Sequence, residues 1–182
     1  MTDGTANSSP GASLTTRIED KRGRVTQIRP YDRLDFDALR EMYESFEPKG
    51  LDCGLPPPDE KVRLSWVTYM VFKLFNVLAV YRRRVVGHAA LALCRAPLCP
   101  EYSVFVRRGF RNAGIGTALS EAMKSVAQEA QCKKAMLTVR TANTRGFKVF
   151  KKVGFEFCHG IDACRDMELR VKPSRVRKQS GK

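Results

Sequence analysis

A chain of 182 residues with 43% hydrophobic content is long enough for one domain with its own core, and nothing in its composition divides it in two. Its formal net charge of +14 favours phosphate-rich partners, yet neither aromatic–basic interleaving nor a helix-turn-helix pattern accompanies the charge, so a specific nucleic-acid module is not expected. The longest apolar run, Trp66 to Val80, is broken by Lys73 and Asn76, which excludes a membrane span there and leaves no membrane partner expected.

Residues 1–22, rich in Ser, Thr, Gly and Ala and without apolar periodicity, are expected to be a disordered segment ahead of a domain over 23–171. The alternation Arg24 to Arg29 predicts a first strand. Asp35 or Asp37 can cap a helix with Leu39, Met42, Tyr43 and Phe46 on one side. The segment Pro48 to Pro58, with three consecutive prolines and two glycines, reads as a defined excursion, and a second helix follows from Asp59 to Leu74. The apolar runs 76–81 and 85–93, joined by Arg82-Arg83-Arg84, predict an antiparallel hairpin, and Glu101 to Val106 adds a strand.

The next segment, Arg111-Asn112-Ala113-Gly114-Ile115-Gly116, separates that strand from a one-sided helix carrying Ile115, Leu119, Ala122, Met123, Val126, Ala127 and Ala130. A strand that delivers a glycine-bearing loop to a helix N-terminus is a pyrophosphate-binding arrangement, because main-chain N–H groups and the helix dipole both face the anion. Without a ligand the same string is only a strand-to-helix turn. Ala135 to Val139 reads as a buried strand, Asn143 opens a short helix that closes at Gly154, and 156–171 reads as a final strand pair. This order gives a mixed α/β sheet with helices on both faces. The tail from Lys172 to Lys182, basic and without an acidic residue, is expected to be solvated and disordered.

Taken in order, the strand ending at Val106, the loop Arg111 to Gly116, Asn143 and Gly154-Phe155 resemble the signature of the GCN5-related N-acetyltransferase (GNAT) superfamily. The resemblance implies an α/β fold with a mixed, mostly antiparallel sheet of six to seven strands whose central pair splays apart. It implies acetyl-coenzyme A as cosubstrate, with the backbone of Val104, Phe105 and Val106 bonding the pantetheine arm. The N–H groups of Asn112, Ala113, Gly114, Ile115, Gly116 and Thr117 would hold the pyrophosphate, with Arg111 adding a charged contact. The Val106 N–H would also donate to the thioester carbonyl. Asn143 matches a coenzyme-contacting asparagine, although a plain helix cap is the other reading.

An amine with an ordinary pKa near 10 must lose a proton before it attacks a thioester. Relatives that acetylate ribosomal proteins carry a glutamate five residues before the asparagine; here that residue is Thr138. Others carry it where this chain has Glu101, which is therefore the candidate base, set against a solvated residue at a strand start. The family's tyrosine acid, four residues before the glycine of Gly-Phe, is replaced by Phe150, which is expected to pack beside the coenzyme. His88 and Tyr102 are outside candidates for proton transfer. Trp66, Tyr69, Tyr43 and the stretch 54–57 either line the acceptor cleft or belong to the core.

The cysteines at 53, 94, 99, 132, 158 and 164 show no metal-like spacing, so no metal is expected and free thiols in a reducing cytoplasm are. No basic-then-apolar leader opens the sequence, in keeping with a cytoplasmic location. Cys94 and Cys99 flank a proline-containing turn, either as unlinked side chains or as a pair meeting across a hairpin. The function expected from the resemblance is transfer of an acetyl group to the primary amine of a small molecule, a protein lysine or an N-terminus, within a ternary complex. The alternatives are an acyl-coenzyme A-binding regulatory module with little catalysis and a nucleic-acid-associated basic protein. A homodimer stays an option.

Overall fold

The computed structural model describes residues 14–93, 101–158 and 163–172. Its first element, strand β1 (Thr16–Glu19), pairs antiparallel with β2 (Val25–Pro30) across a turn in which the Asp20 carboxylate accepts from the N–H groups of Arg22 and Arg24. The expected disorder up to residue 22 therefore does not hold for residues 14–22. Ile18 packs against the core, and an Asp-x-x-Gly turn ending at Gly23 (φ 70°) closes the hairpin. Residues 1–13 and 173–182 lie outside the described residues.

A turn of 3-10 helix, Arg33–Asp35, leads into helix α1 (Phe36–Glu44). Asp35, one of the two aspartates expected from the sequence, stands at the N-cap of α1 without a side-chain cap bond of its own, and Asp32 caps the 3-10 turn. The Asp32 carboxylate accepts from Leu34, while Asp35 accepts from the Asp32 N–H and takes both prongs of Arg29 at 2.6 and 2.7 Å. Helix α2 (Glu60–Lys73) starts at Asp59, whose side chain accepts from Val62. The proline excursion between the helices is tied down: Gly50 N–H donates to Pro56, Leu55 N–H to Asp52, and Arg63 to the carbonyls of Pro57 and Pro58.

Strands β3 (Phe75–Tyr81) and β4 (Arg84–Leu91) form the predicted hairpin, with Arg82 and Arg83 both at positive φ as its two-residue turn. Strand β5 (Tyr102–Val106) completes an antiparallel sheet ordered β1-β2-β3-β4-β5. Helix α3 (Ile115–Glu129) follows, then β6 (Lys134–Arg140), α4 (Thr144–Val153), β7 (Glu156–Phe157) and β8 (Cys164–Arg170). The last three strands form a second antiparallel sheet, β6-β8-β7. One parallel bridge, Glu101 to Met136, joins the two sheets. Cys94 and Cys99 lie outside the described residues.

The helices cover opposite faces. Leu39, Met42 and Tyr43 of α1 with Val67 and Met70 of α2 bury Leu78, Ala90 and Phe105. Leu119, Met123 and Val126 of α3 pack on Val77, Ala89 and Leu91, and this core continues into Leu137, Val139, Met167 and Leu169 of the second sheet. Tyr43 is fully buried and Trp66 stacks edge-on against it and Phe105, so both are core residues; Tyr69 is exposed and away from the cleft described below.

Under α1 and α2 lies a buried polar chain. Asn76 donates its amide to the carbonyls of Met70 and Leu74, which leaves its side-chain oxygen to accept from His88 Nε2 at 2.9 Å; His88 Nδ1 then accepts from the Tyr43 hydroxyl at 2.7 Å. His88 is thus a neutral structural histidine, and burial pushes its pKa down to about 3. Between the ordinary histidine value and that point the unfolded chain holds a proton that the native chain does not. Stability attached to His88 is therefore fully present above about pH 6.5 and falls as pH drops, by at most about 1.4 kcal/mol per unit. Urea denaturation of the wild type should show a loss of about 1 kcal/mol between pH 7 and 5.5, a loss that His88→Gln, which cannot titrate, should mostly lack.

Candidate functional site

Beyond the bridge from Glu101 to Met136, β5 and β6 diverge, and the gap widens into a cleft of about 680 Å³. Which backbone groups face it follows from strand parity. The Arg107 N–H donates to Val86 and Ala92 N–H donates to Glu101, so the odd-numbered residues of β5 bond β4 and the amides of Val104 and Val106 point to the open edge. On the opposite bank Thr141 N–H bonds Ala163 and Val171 N–H bonds Lys133, which turns the main chain of Thr138 and Arg140 toward the cleft. The Arg140 carbonyl is taken by the Asn143 N–H.

This parity corrects one expectation. Phe105 pairs with His88 in the ladder, so its backbone is not available to a ligand; its ring packs against Tyr43, Phe46 and Trp66 and reaches only the cleft wall. Val104 and Val106 remain the edge residues of β5.

The loop that closes the wide end has a left-handed residue at Asn112 (φ 62°) and another at Gly114 (φ 79°), after which α3 begins at once. Its first intrahelical bond runs from Ala118 to the Gly114 carbonyl, so the N–H groups of Ile115, Gly116 and Thr117 have no partner within the helix. Asn112, Gly114, Gly116 and Thr117 line the cleft, while the partly buried Ala113 and the buried Ile115 anchor the loop in the core. A further chain supports it from below: the Tyr102 hydroxyl meets Ser120 Oγ at 2.7 Å, and Ser120 Oγ donates to the Gly116 carbonyl at 2.8 Å. Burial keeps the Tyr102 phenol protonated far past its ordinary range, in keeping with a structural role.

Arg111 braces the site. Its Nε donates to the Val106 carbonyl at 3.0 Å, its Nη2 donates to the Glu47 carbonyl, and its guanidinium lies over the Phe46 ring. One side chain thus ties the end of β5 to the start of the proline loop. Burial and the neighbouring guanidinium groups of Arg145 and Arg108 pull its pKa down. Arg108, Arg111 and Arg145 together with the N–H groups of the helix start give the wide end of the cleft a positive field.

Asn143 lines the cleft and caps α4, its side-chain oxygen accepting from Gly146 at 2.9 Å. Phe150 is buried against Tyr102 and Phe155 and forms part of the cleft wall. Glu101 is exposed at the narrow end, and the Thr138 hydroxyl donates to Asp166 at 2.7 Å. Sequence reasoning missed Arg140, Arg145 and Cys53, whereas Gly54 and Leu55 of the stretch 54–57 do line the cleft, as the sequence allowed. Cys53, which lines the cleft, is disulfide-bonded to Cys164, against the expectation of free thiols; the partners are 111 positions apart, and only the folded loop brings them together. Asp52, Cys53 and Cys164 cluster within 4.8 Å, but sulfurs bonded to each other are not thiolate ligands for a metal.

The comparisons with known proteins agree with this layout. Residues 36–155 match the model of the acetyltransferase (GNAT) family, and the chain belongs to that family. Its fold is similar to the GNAT domain of S. lividans PAT (TM-score 0.75, 18% identity, 87% of this chain and 98% of that one). It is also similar to YncA of Salmonella typhimurium, described as an acetyltransferase and solved with acetyl-CoA (0.65, 17%, 86% and 99%), and to Mycobacterium smegmatis RimJ in complex with CoA-disulfide (0.64, 18%, 86% and 86%). No curated protein matches the chain significantly in sequence. Family membership supports acetyl-coenzyme A-dependent N-acetyltransfer in general.

The two loop glycines differ in what they tolerate. A Cβ at Gly114 meets nothing within 4 Å but sits on left-handed backbone, whereas one at Gly116 meets Val149 and Val106 at ordinary contact distances of 3.7 and 3.8 Å inside a helix. In thermal denaturation Gly114→Ala should cost about 1 kcal/mol, while Gly116→Ala should be neutral or gain up to about 1 kcal/mol.

Proposed function

We propose that this protein is an N-acetyltransferase that moves an acetyl group from acetyl-coenzyme A to the primary amine of a small molecule, a protein lysine or an N-terminus. One observation carries the reading: a gap between two diverging strands, edged by main-chain N–H groups that the sheet does not pair, ends at a cationic loop that opens a helix. The residues fit the coenzyme. Val104 and Val106 offer edge donors to an extended arm, the N–H groups around Gly114 to Thr117 suit a pyrophosphate, and Arg108, Arg111 and Arg145 supply the field. Arg111 acts mainly as a brace, since its hydrogen bonds go to carbonyls. When bound, the coenzyme supplies a thioester as acyl donor.

The residues of this chain have to orient that ester and take a proton from the amine. Glu101 is the base in this reading, exposed at the narrow end. Five positions of extended chain put it about 16 Å from Val106, so the two serve one reacting centre only if Glu101 works through water. The Val104 N–H shares the open edge and lies nearer to Glu101, which adds it to Val106 as a donor for the developing oxyanion. Asn143 would hold the coenzyme near its reactive end while capping α4. A thiol with a pKa near 8.5 leaves as thiolate without an acid, so Phe150 does not preclude turnover. Thr138, tied to Asp166, and Phe150, held in the core, favour one other reading, a coenzyme-binding regulatory module.

Thiol release from acetyl-coenzyme A across polyamines, aminoglycosides, amino acids and lysine peptides, with calorimetry of coenzyme binding on the same sample, separates these readings. Turnover with any acceptor supports the transferase, binding without turnover supports the module, and no binding rejects both. Gly116→Ala should bind coenzyme A at least about tenfold more weakly than wild type despite its unimpaired stability, and Gly114→Trp should not bind at all. Glu101→Gln should lower the rate most at neutral pH and recover at high pH, where free amine is abundant; an equal loss at every pH would remove Glu101 as base.

A further inference from the structure

Two consecutive residues of the proline loop dock on one cross-strand pair. Arg140 of β6 and Cys164 of β8 stand opposite each other in the register of the second sheet. Asp52 faces Arg140, with its carboxylate 3.7 Å from Nε, and Cys53 is bonded to Cys164 with their Cα atoms 5.8 Å apart. The ion pair is half-exposed and weak by itself. The sulfur bridge is therefore the firm attachment of the loop to the second sheet, while ties through Lys49 and Arg63 run to α1, Phe46 and the loop's own prolines and the tie through Arg111 runs to the end of β5.

We propose that Cys53 and Cys164 form a reversible thiol–disulfide site whose reactant is a low-molecular-weight disulfide, and whose state sets how firmly the loop walls the cleft. Cys53, Gly54, Leu55 and Arg140 line the cleft, so the bridge fastens a lining loop to the sheet that carries the β6 bank. Both cysteines are partly exposed, within reach of a small thiol reagent. Cys53 has φ 49° and Gly54 φ 67°, and a non-glycine residue rarely holds the former unless the surroundings enforce it. The bridge and the turn from Leu55 to Asp52 are what enforce it.

The chemistry balances as two exchanges. One cysteine thiolate attacks the small disulfide, forming a mixed disulfide and expelling one small thiolate. The other cysteine thiolate then attacks the protein sulfur of that mixed disulfide, closing the bridge and expelling the second. The two protein thiols lose two electrons, the small disulfide gains them, and the two cysteine protons end on the released thiols. An excess of small thiol reverses both steps.

With the loop fastened, a wall of the cleft is set before any ligand arrives, so the oxidised form should bind tighter. That consequence rests on the coenzyme reading above; the bridge itself does not. The full chain, equilibrated with reduced and oxidised glutathione in varied ratio, should give a linked peptide containing Cys53 and Cys164 in a non-reducing digest. Hydrogen exchange over residues 49–57 should slow on oxidation in wild type and stay indifferent to it in Cys164→Ser, a substitution outside the cleft lining. Coenzyme A should bind the oxidised form about three- to tenfold tighter, a difference Cys164→Ser should lose. Failure of the linked peptide to form, pairing of Cys53 with another cysteine, loop exchange that ignores the redox state, or a reduced chain that retains stoichiometric zinc and resists glutathione would each overturn the proposal. Equal affinity of the two forms would overturn its effect on the cleft. If coenzyme A binds neither form while loop exchange still responds, the thiol–disulfide site stands and the coenzyme reading falls.

Discussion

The parting of two strands beyond the bridge from Glu101 to Met136 governs the rest of this molecule. Glu101 and Met136 hold β5 and β6 together at one point, and beyond it each strand keeps a partner on its outer side only. Unpaired N–H and C=O groups inside a fold are costly unless something answers them. Here the answers are partial and local: Arg111 takes the Val106 carbonyl and Asn143 the Arg140 carbonyl, whereas the amides of Val104 and Val106 stay on the open edge. The cleft is thus a place where the sheet has been left unfinished.

Everything around the gap holds it open or finishes its rim. Helix α3 lies across the first sheet, and its buried face, from Ile115 to Ala127, fixes where the phosphate-type loop can sit. The Tyr102–Ser120–Gly116 chain pins the first turn of that helix to the strand that feeds it. On the other side of the sheet the Tyr43–His88–Asn76 chain locks α1 and the end of α2 to β3 and β4, and α1 leads into the loop that walls the cleft. Buried Asn76, His88 and Ser120 are engaged in positioning, and Arg108, Arg111 and Arg145 stand together at the wide end of the cleft.

What was legible in the sequence is what local chemistry decides. Period-two and period-3.6 patterns gave β2 through β6 and all four helices to within a few residues, and the glycines of 114–116 marked the loop because left-handed backbone next to a helix start needs glycine. Asp35 was legible as the N-cap of α1, but the 3-10 turn ahead of it and its own cap Asp32 were not, and β1 was missed because its four residues carry little pattern without their partner. The error over Phe105 was one of parity: a strand's hydrophobic run says nothing about which amides face its neighbour. Arg111 reaching Glu47 across 64 positions and Cys53 reaching Cys164 across 111 depend on tertiary approach, which no spacing rule contains.

A bare strand edge on the outside of a protein invites a second chain to pair with it, and native folds commonly blunt such edges with charge, bulges or cover. The edges of β5 and β6 look at each other across a narrow wedge, with Pro48 and Leu55 on its rim. Another polypeptide strand carries side chains alternately above and below its backbone and would meet Gly116 and Thr117 of α3 and Val149 and Phe150 of α4, which line the cleft. A slender, unbranched molecule has no such side chains to place. The same divergence that exposes hydrogen-bonding backbone therefore favours a slender entrant over a second polypeptide strand.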